Sequence, residues 1–289
     1  MHHCLQCGTD FAASGWKCPR CDYTPVVDAG FLSFAPHLKD ASSGFDAEFH
    51  HFLDQVQERN FWFRCRNRLF ADLVRKWFPK TRNVLEIGCG TGYVLANLRE
   101  VLPEANFAGS EISGVGLQYA ARRLGPAVGL LQMDAQAIPF SEEFDLIAAC
   151  DVLEHLEDDA RSLSEIHRAL KRGGGALLSV PQHPQLWSEA DVAAHHRRRY
   201  KPGELAAKCR NAGLEVAVDT SFVFSLLPLM AIQRWLRRRE KGYSVAAELS
   251  VPNWLNHLLF AVLDIERRSI RLGARFPAGG SRIVVALKK

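Results

Sequence analysis

From Val84 to Val180 short apolar runs alternate with segments whose apolar residues recur at helical spacing, and this commits the chain to a parallel sheet with crossover helices. The pattern predicts strands at Val84–Ile87, Phe107–Glu111, Val128–Met133, Asp145–Cys150 and Ala176–Val180. Helices fall between them near Tyr93–Val101, Gly116–Leu124 and Ala160–Leu170. Two further strands, Leu214–Thr220 and Ile283–Leu287, flank about sixty residues of helical pattern, far more than a hairpin needs. Upstream, Phe49, Phe52, Leu53 and Val56, then Phe61 to Phe63, Leu69, Phe70, Leu73 and Val74, predict two helices that end before Pro79.

The first of these strands runs through Leu85-Glu86-Ile87-Gly88-Cys89-Gly90-Thr91-Gly92 straight into a helix. Glycines there let the backbone approach a ligand, and the helix start offers unpaired N–H groups. The spacing is not the dinucleotide fingerprint, because the third glycine would fall on Tyr93, and Glu86 would repel a pyrophosphate. The motif, E-x-G-x-G-x-G, resembles the first motif of the class I S-adenosylmethionine-dependent methyltransferases, of the type 11/12 kind. Further motifs in the same order extend the resemblance over residues 47 to 221.

The resemblance implies S-adenosylmethionine as cofactor and a Rossmann-like seven-stranded α/β sheet. It implies a cradle of Glu86, Gly88, Gly90 and Gly92, a ribose-binding Glu111 followed by Ile112, and an adenine border at Asp134 and Ala135. Asp151-Val-Leu-Glu154-His155 resembles the motif after the fourth strand, and Leu170 to Gly175 the turn before the fifth. Asp151 and His155 are then expected beside the donor. Asp151, Glu154 and His155 are also donors of metal-ligand type, but their spacing equally fits a helix cap followed by first-turn acids, and no metal is expected in the transfer. Asn60 to Asn67 resembles a segment that precedes the core in one subgroup, which would place Trp62 over the cofactor and Arg64 near its carboxylate.

Eight cysteines are present, four of them in the first 21 residues. Cys4-x-x-Cys7 and Cys18-x-x-Cys21 read as two knuckles of a zinc ribbon holding one structural ion, whereas a redox motif would need only one pair. Cys65, Cys89, Cys150 and Cys209 read as core or loop residues. The start lacks a basic segment followed by an apolar run, and no stretch reaches the roughly 18 apolar residues of a spanning helix, so a cytoplasmic protein is expected. A net charge of +4, with Lys and Arg spread out except at Arg197–Arg199 and Arg237–Arg239, disfavours nucleic acid as partner.

Ligands of doubly wound sheets bind outside the carboxyl ends of the strands, so the loop after the fifth strand should border the methyl acceptor. It carries His183, Trp187, Asp191, His195, His196 and Tyr200. His183 and then His195 are the candidate bases, with Tyr200 and Trp187 shaping the pocket. A base is needed only for a protic acceptor. Three histidines with Asp191 could alternatively hold a metal.

The expected organisation is a ribbon at 1–34, cofactor-covering helices at 35–80, a core at 81–221 plus 281–289, and a helical lid at 222–280. The lid's apolar stretches, Phe222 to Ile232 and Trp254 to Ile265, each end in basic residues. Peripheral membrane contact through 222–270, or a homodimer, follows from that pattern. The expected activity is methyl transfer to a small-molecule or lipid-like, carrier-linked acceptor. The alternatives are an RNA methyltransferase, since a ribbon ahead of this core resembles some ribosomal RNA guanine methyltransferases, and a non-catalytic cofactor-binding adaptor.

Overall fold

The computed structural model describes residues 1–38, 47–237 and 249–289. The N-terminal segment folds as a small hairpin, β1 (His2–His3) with β2 (Asp10–Phe11), followed by β3 (Val26–Asp28) and β4 (Phe31–Ser33). Helices α1 (Ala47–Val56) and α2 (Phe61–Trp77) follow. The core then runs β5 (Asn83–Ile87), α3 (Tyr93–Val101), β6 (Asn106–Glu111), α4 (Gly114–Leu124), β7 (Gly129–Gln132), β8 (Phe144–Cys150), α5 (Asp159–Ala169) and β9 (Leu170–Pro181). After β9 come α6 (Glu189–Ala193), α7 (Glu204–Asn211), β10 (Glu215–Phe222), α8 (Leu227–Arg237), α9 (Asn253–Arg271) and β11 (Ser281–Leu287).

The seven expected strands lie in the order β10-β11-β9-β8-β5-β6-β7, with only β11 antiparallel to its neighbours. The sheet is nevertheless nine-stranded: β4 adds in parallel beside β7, Leu32 opposite Leu131 and Ser33 opposite Gln132, and β3 pairs outside it. An exposed strand edge is an open row of hydrogen-bonding groups, and here the end of the cysteine-rich segment covers it. Strand β9 begins six residues earlier than its apolar run, because Leu170 pairs with Phe144 while Lys288 bonds back to Gly174.

Central strands of a parallel sheet are covered on both faces and so read as continuous apolar runs. Leu146, Ile147, Ala148 and Ala149 of β8 are all fully buried. Along β5, Val84 packs in the layer of α2, α3 and α9, while Leu85 and Ile87 pack in the layer of α5 and α7. Alternation therefore turns Glu86 toward the α2 face, together with Val84. Helix α9 is tied to α2: Asn256 Oδ1 accepts from the Phe61 N–H at 2.8 Å, and Arg267 bridges Asp264 and Asp72.

Strand β5 sits between β6 and β8, so the winding reverses there and leaves a crevice at the carboxyl ends of these strands.

Candidate functional site

The glycine turn after β5 opens this crevice. Gly88 has φ +66°, and a Cβ on it would lie 2.5 Å from Val152 Cγ2, so only glycine lets β5 meet the turn after β8. Gly90 also has positive φ, +50°, but a Cβ there would meet nothing within 4 Å. The chain is thus held in a glycine conformation beside open space, as in a cradle for a ligand. Gly92 caps α3.

Glu111, at the end of β6, reaches across this space. One carboxylate oxygen accepts from the Gly90 N–H at 3.0 Å and the other from the N–H groups of Ile112 (2.7 Å) and Ser113 (3.0 Å). Glu86 is 2% exposed and its Oε2 has no hydrogen-bond partner. Burial pushes its carboxyl well above the usual range, against the pull of Arg66. Asp134 caps its own turn by accepting from the Gln136 N–H at 2.8 Å, and Ala135 beside it is buried.

In the segment before the core, Arg64 and Arg66 take different partners. Arg64 lies over the Phe260 ring of α9, 4.4 Å from its centre. Arg66 stacks instead on Trp62 at 4.3 Å and bonds Asp151, which also accepts from Ser179 Oγ at 2.9 Å. Helical geometry explains the difference, since residues four apart share a face and Trp62 carries Arg66 with it but not Arg64. That same spacing was the signal by which Arg66 could have been found.

Beyond β8, β9 and β10, the non-glycine residues Asp151, His183 and Val223 all have positive φ, between 57° and 67°. Such conformations are costly, above all for a β-branched residue, and they collect here on the carboxyl edge of the sheet. His183 is 8% exposed, and its Nε2 has no hydrogen-bond partner. Burial first, and then the charges of Arg199 and Arg282, lower its pKa, which leaves the ring neutral at pH 7. Trp187 is 40% exposed.

Two expected acceptor-side residues lie elsewhere. Tyr200 is fully buried in the core layer of α5 and α7, and its hydroxyl donates to Asp159 at 2.5 Å. Burial and then the Asp159 carboxylate raise its pKa, and its place is in the core. His195 is exposed, and its neighbour His196 turns inward instead. His196 Nδ1 meets Asp191 at 2.9 Å, while its Nε2 faces Glu154 at 3.9 Å. His155 packs edge-on against His196 with ring centres 4.9 Å apart, and its pKa falls to about 4 through burial and that neighbour.

The four N-terminal cysteines converge, with Sγ–Sγ distances of 3.5 Å (Cys4–Cys21) and 3.7 Å (Cys7–Cys18). A tetrahedron with Zn–S bonds of about 2.3 Å requires sulfurs about 3.8 Å apart, so the cluster fits one zinc ion. The segment is anchored by Trp16, which stacks on His2 at 3.9 Å and meets Phe34 and Phe140 edge-on.

An α/β sheet with a reversal at a glycine cradle, and an acid at the end of the next strand, defines a Rossmann-like ligand-binding core. Residues 84–174 match the methyltransferase domain family. A probable S-adenosylmethionine-dependent methyltransferase of Mycolicibacterium smegmatis is 29% identical, over 58% of this chain and 65% of that protein. The ubiquinone biosynthesis O-methyltransferase of Pseudomonas aeruginosa is 30% identical over 47% of this chain and 65% of its own length. The chain therefore spans slightly less than two thirds of these relatives. Among solved structures, phosphoethanolamine N-methyltransferase 2 of Haemonchus contortus shares the fold with a TM-score of 0.57 at 18% identity, covering 90% of this chain and 60% of that one. Residues 84–174 are thus similar to a methyltransferase domain, and the chain resembles S-adenosylmethionine-dependent methyltransferases.

Proposed function

We propose that the protein transfers the methyl group of S-adenosylmethionine to a small-molecule or lipid- or carrier-linked acceptor. The open space at Gly90, facing the Glu111 carboxylate, is the observation that carries this reading. In it Glu111 takes the ribose hydroxyls. Gly88, Gly90 and Gly92 admit the donor, Ile112, Asp134 and Ala135 border the adenine, and Trp62 covers the site. Arg66, held by Asp151, takes the place first given to Arg64, with Glu86 and His155 lining the same end. Names of relatives support the acceptor class, among them the ubiquinone O-methyltransferase and a phthiotriol/phenolphthiotriol dimycocerosates methyltransferase of Mycobacterium ulcerans, 29% identical over 54% of this chain and 59% of that one.

The cofactor supplies an electrophilic methyl carbon on sulfur. The chain's part is to align the acceptor in line with the C–S bond and to exclude water. His183, neutral and with Nε2 unpartnered, is the group placed to receive a proton when the acceptor is protic. The cysteine cluster holds one structural zinc.

Helices α8 and α9 form the lid: Arg234 of α8 bonds the Leu186 carbonyl in the loop that carries His183. Leu229, Ile232, Trp254, Leu258, Ile265 and Leu272 stay exposed on these helices and at the end of α9. They suit contact with a membrane surface or a second copy of the chain, and a cytoplasmic protein, peripheral at most, accords with this. Among the described residues no helix is long and apolar enough to cross a membrane. Calorimetry with S-adenosylhomocysteine, followed by labelled S-adenosylmethionine supplied with cell extract, tests the reading. Absence of cofactor binding would overturn it.

A further inference from the structure

Glu154, His155 and His196 bring a carboxylate oxygen and two ring nitrogens within 4.8 Å of one another, and we propose that they bind one divalent transition-metal ion beside the cofactor cradle. The site is separate from the cysteine cluster and joins residues far apart in sequence. Only the ion's role in transfer rests on the methyltransferase reading; its binding does not.

Glu154 is fully buried, and neither of its carboxylate oxygens has a hydrogen-bond partner. Buried polar atoms in folded proteins are almost always satisfied, so a carboxylate with both oxygens orphaned calls for a missing partner. His196 Nε2 faces one of these oxygens at 3.9 Å, too far for a hydrogen bond and close to the separation of two ligands on one ion.

The orientation of His196 is fixed from behind. Its Nδ1 pairs with Asp191, and Asp191 is held by Arg199 at 2.6 Å, so Nε2 is left to face Glu154. A histidine anchored through one nitrogen to a carboxylate, with the other presented inward, is how proteins aim imidazole ligands. The two loops are pinned together, because the Arg197 N–H donates to the Glu154 carbonyl at 2.8 Å. Tetrahedral ligands at about 2.1 Å lie about 3.4 Å apart, so movements of about 1.5 Å at most close the 4.8 Å cluster on an ion.

Charge points the same way. Arg66 is paired with Asp151 and Arg199 with Asp191, which leaves the Glu154 carboxylate for the ion. Two imidazoles with one carboxylate favour manganese, iron, cobalt or zinc over magnesium or calcium.

Val152, two residues before Glu154, packs under Gly88 of the cradle. An ion there would coordinate an acceptor hydroxyl and favour its loss of a proton to solvent. The oxygen then attacks the methyl carbon, the C–S bond breaks with its electron pair staying on sulfur, and the products are a methyl ether, a thioether and a proton. The acceptor class this implies is a hydroxyl compound, such as a phenol or enol.

The test is titration of the full-length protein, its cysteine-bound metal retained, with manganese(II) followed by electron spin resonance, alongside S-adenosylhomocysteine calorimetry on the same samples. The expected result is one manganese per chain, with affinity lowered at least tenfold in Glu154→Gln and His196→Ala. Should Glu154→Gln fail to fold, Asp191→Asn decides, with an expected loss of about 10- to 100-fold. Cofactor binding without manganese binding, or manganese binding indifferent to Glu154 and His196, overturns the site alone. Manganese binding without cofactor binding overturns the methyltransferase reading and leaves the site standing.

Discussion

Ser33 and Gln132 are joined by a 2.6 Å hydrogen bond, which links the cysteine-rich segment to the strand that borders the proposed adenine site. The same Gln132 amide accepts from the Ala35 N–H, donates to the Ala35 carbonyl at 2.8 Å, and reaches the Ile112 carbonyl at 3.4 Å. One buried side chain thus ties the end of the ribbon to the residue after Glu111. Gln132→Ala strands these groups at a cost of about 1–3 kcal/mol. Chemical denaturation should show that loss, and S-adenosylhomocysteine affinity should fall with it. Unchanged affinity would mean that the ribbon and the cofactor site are uncoupled.

Glu111→Ala removes an acceptor now serving three backbone N–H groups and proposed to serve two ribose hydroxyls. Charged hydrogen bonds are worth about 1.5–3 kcal/mol, so cofactor affinity should drop roughly ten- to hundred-fold. Gly90→Val fills the open space and forces a β-branched residue to positive φ. Calorimetry should find no binding to it, and wild-type affinity in both variants would remove the cradle from the site.

The fold was legible because its determinants are local. The apolar runs of β5, β6, β7 and β8 and the glycine turn each state their geometry within a few residues. The ribbon's addition to the sheet was not, since Phe31–Ser33 is three residues long and pairs with β7 through a contact about a hundred residues away, which no periodicity encodes. Within the site, Glu111 and His183 follow from their positions at strand ends. The choices between Arg64 and Arg66, and between His195 and His196, depend on which way a backbone turns at one residue. His195 takes φ +52°, and that single left-handed step sends it to solvent and His196 inward.

His183 should titrate below the ordinary histidine value, through burial and the cations Arg199 and Arg282. A depressed folded-state pKa means that the unfolded chain takes up the proton first as pH falls. The stability associated with the neutral ring is therefore complete above about pH 6.5 and is lost as pH drops through the folded value. Thermal melting between pH 7.5 and 5 should show a larger loss for wild type than for His183→Asn. Equal losses would place His183 in an ordinary solvated setting.

The exposed apolar residues of α8 and α9 predict binding to anionic liposomes at low salt, where Arg268 and Arg271 attract headgroups most strongly. Protein left in the supernatant would turn attention to a homodimer, which sedimentation measures directly.

Tyr200→Phe separates a core role from a catalytic one. The ring stays buried and keeps its packing, but Asp159 loses its 2.5 Å partner while retaining Lys208 at 2.7 Å and Arg198 at 3.5 Å. Because Asp159 keeps two cations, the carboxylate is not stranded, and the cost should be that of one hydrogen bond to a charged group, about 1.5–3 kcal/mol. Urea denaturation should show that loss. Cofactor affinity and methyl transfer should stay within about twofold of wild type, since a change of that size in free energy is under about 0.5 kcal/mol. A fall in transfer rate with stability and affinity intact would instead return the Tyr200 hydroxyl to the reacting centre.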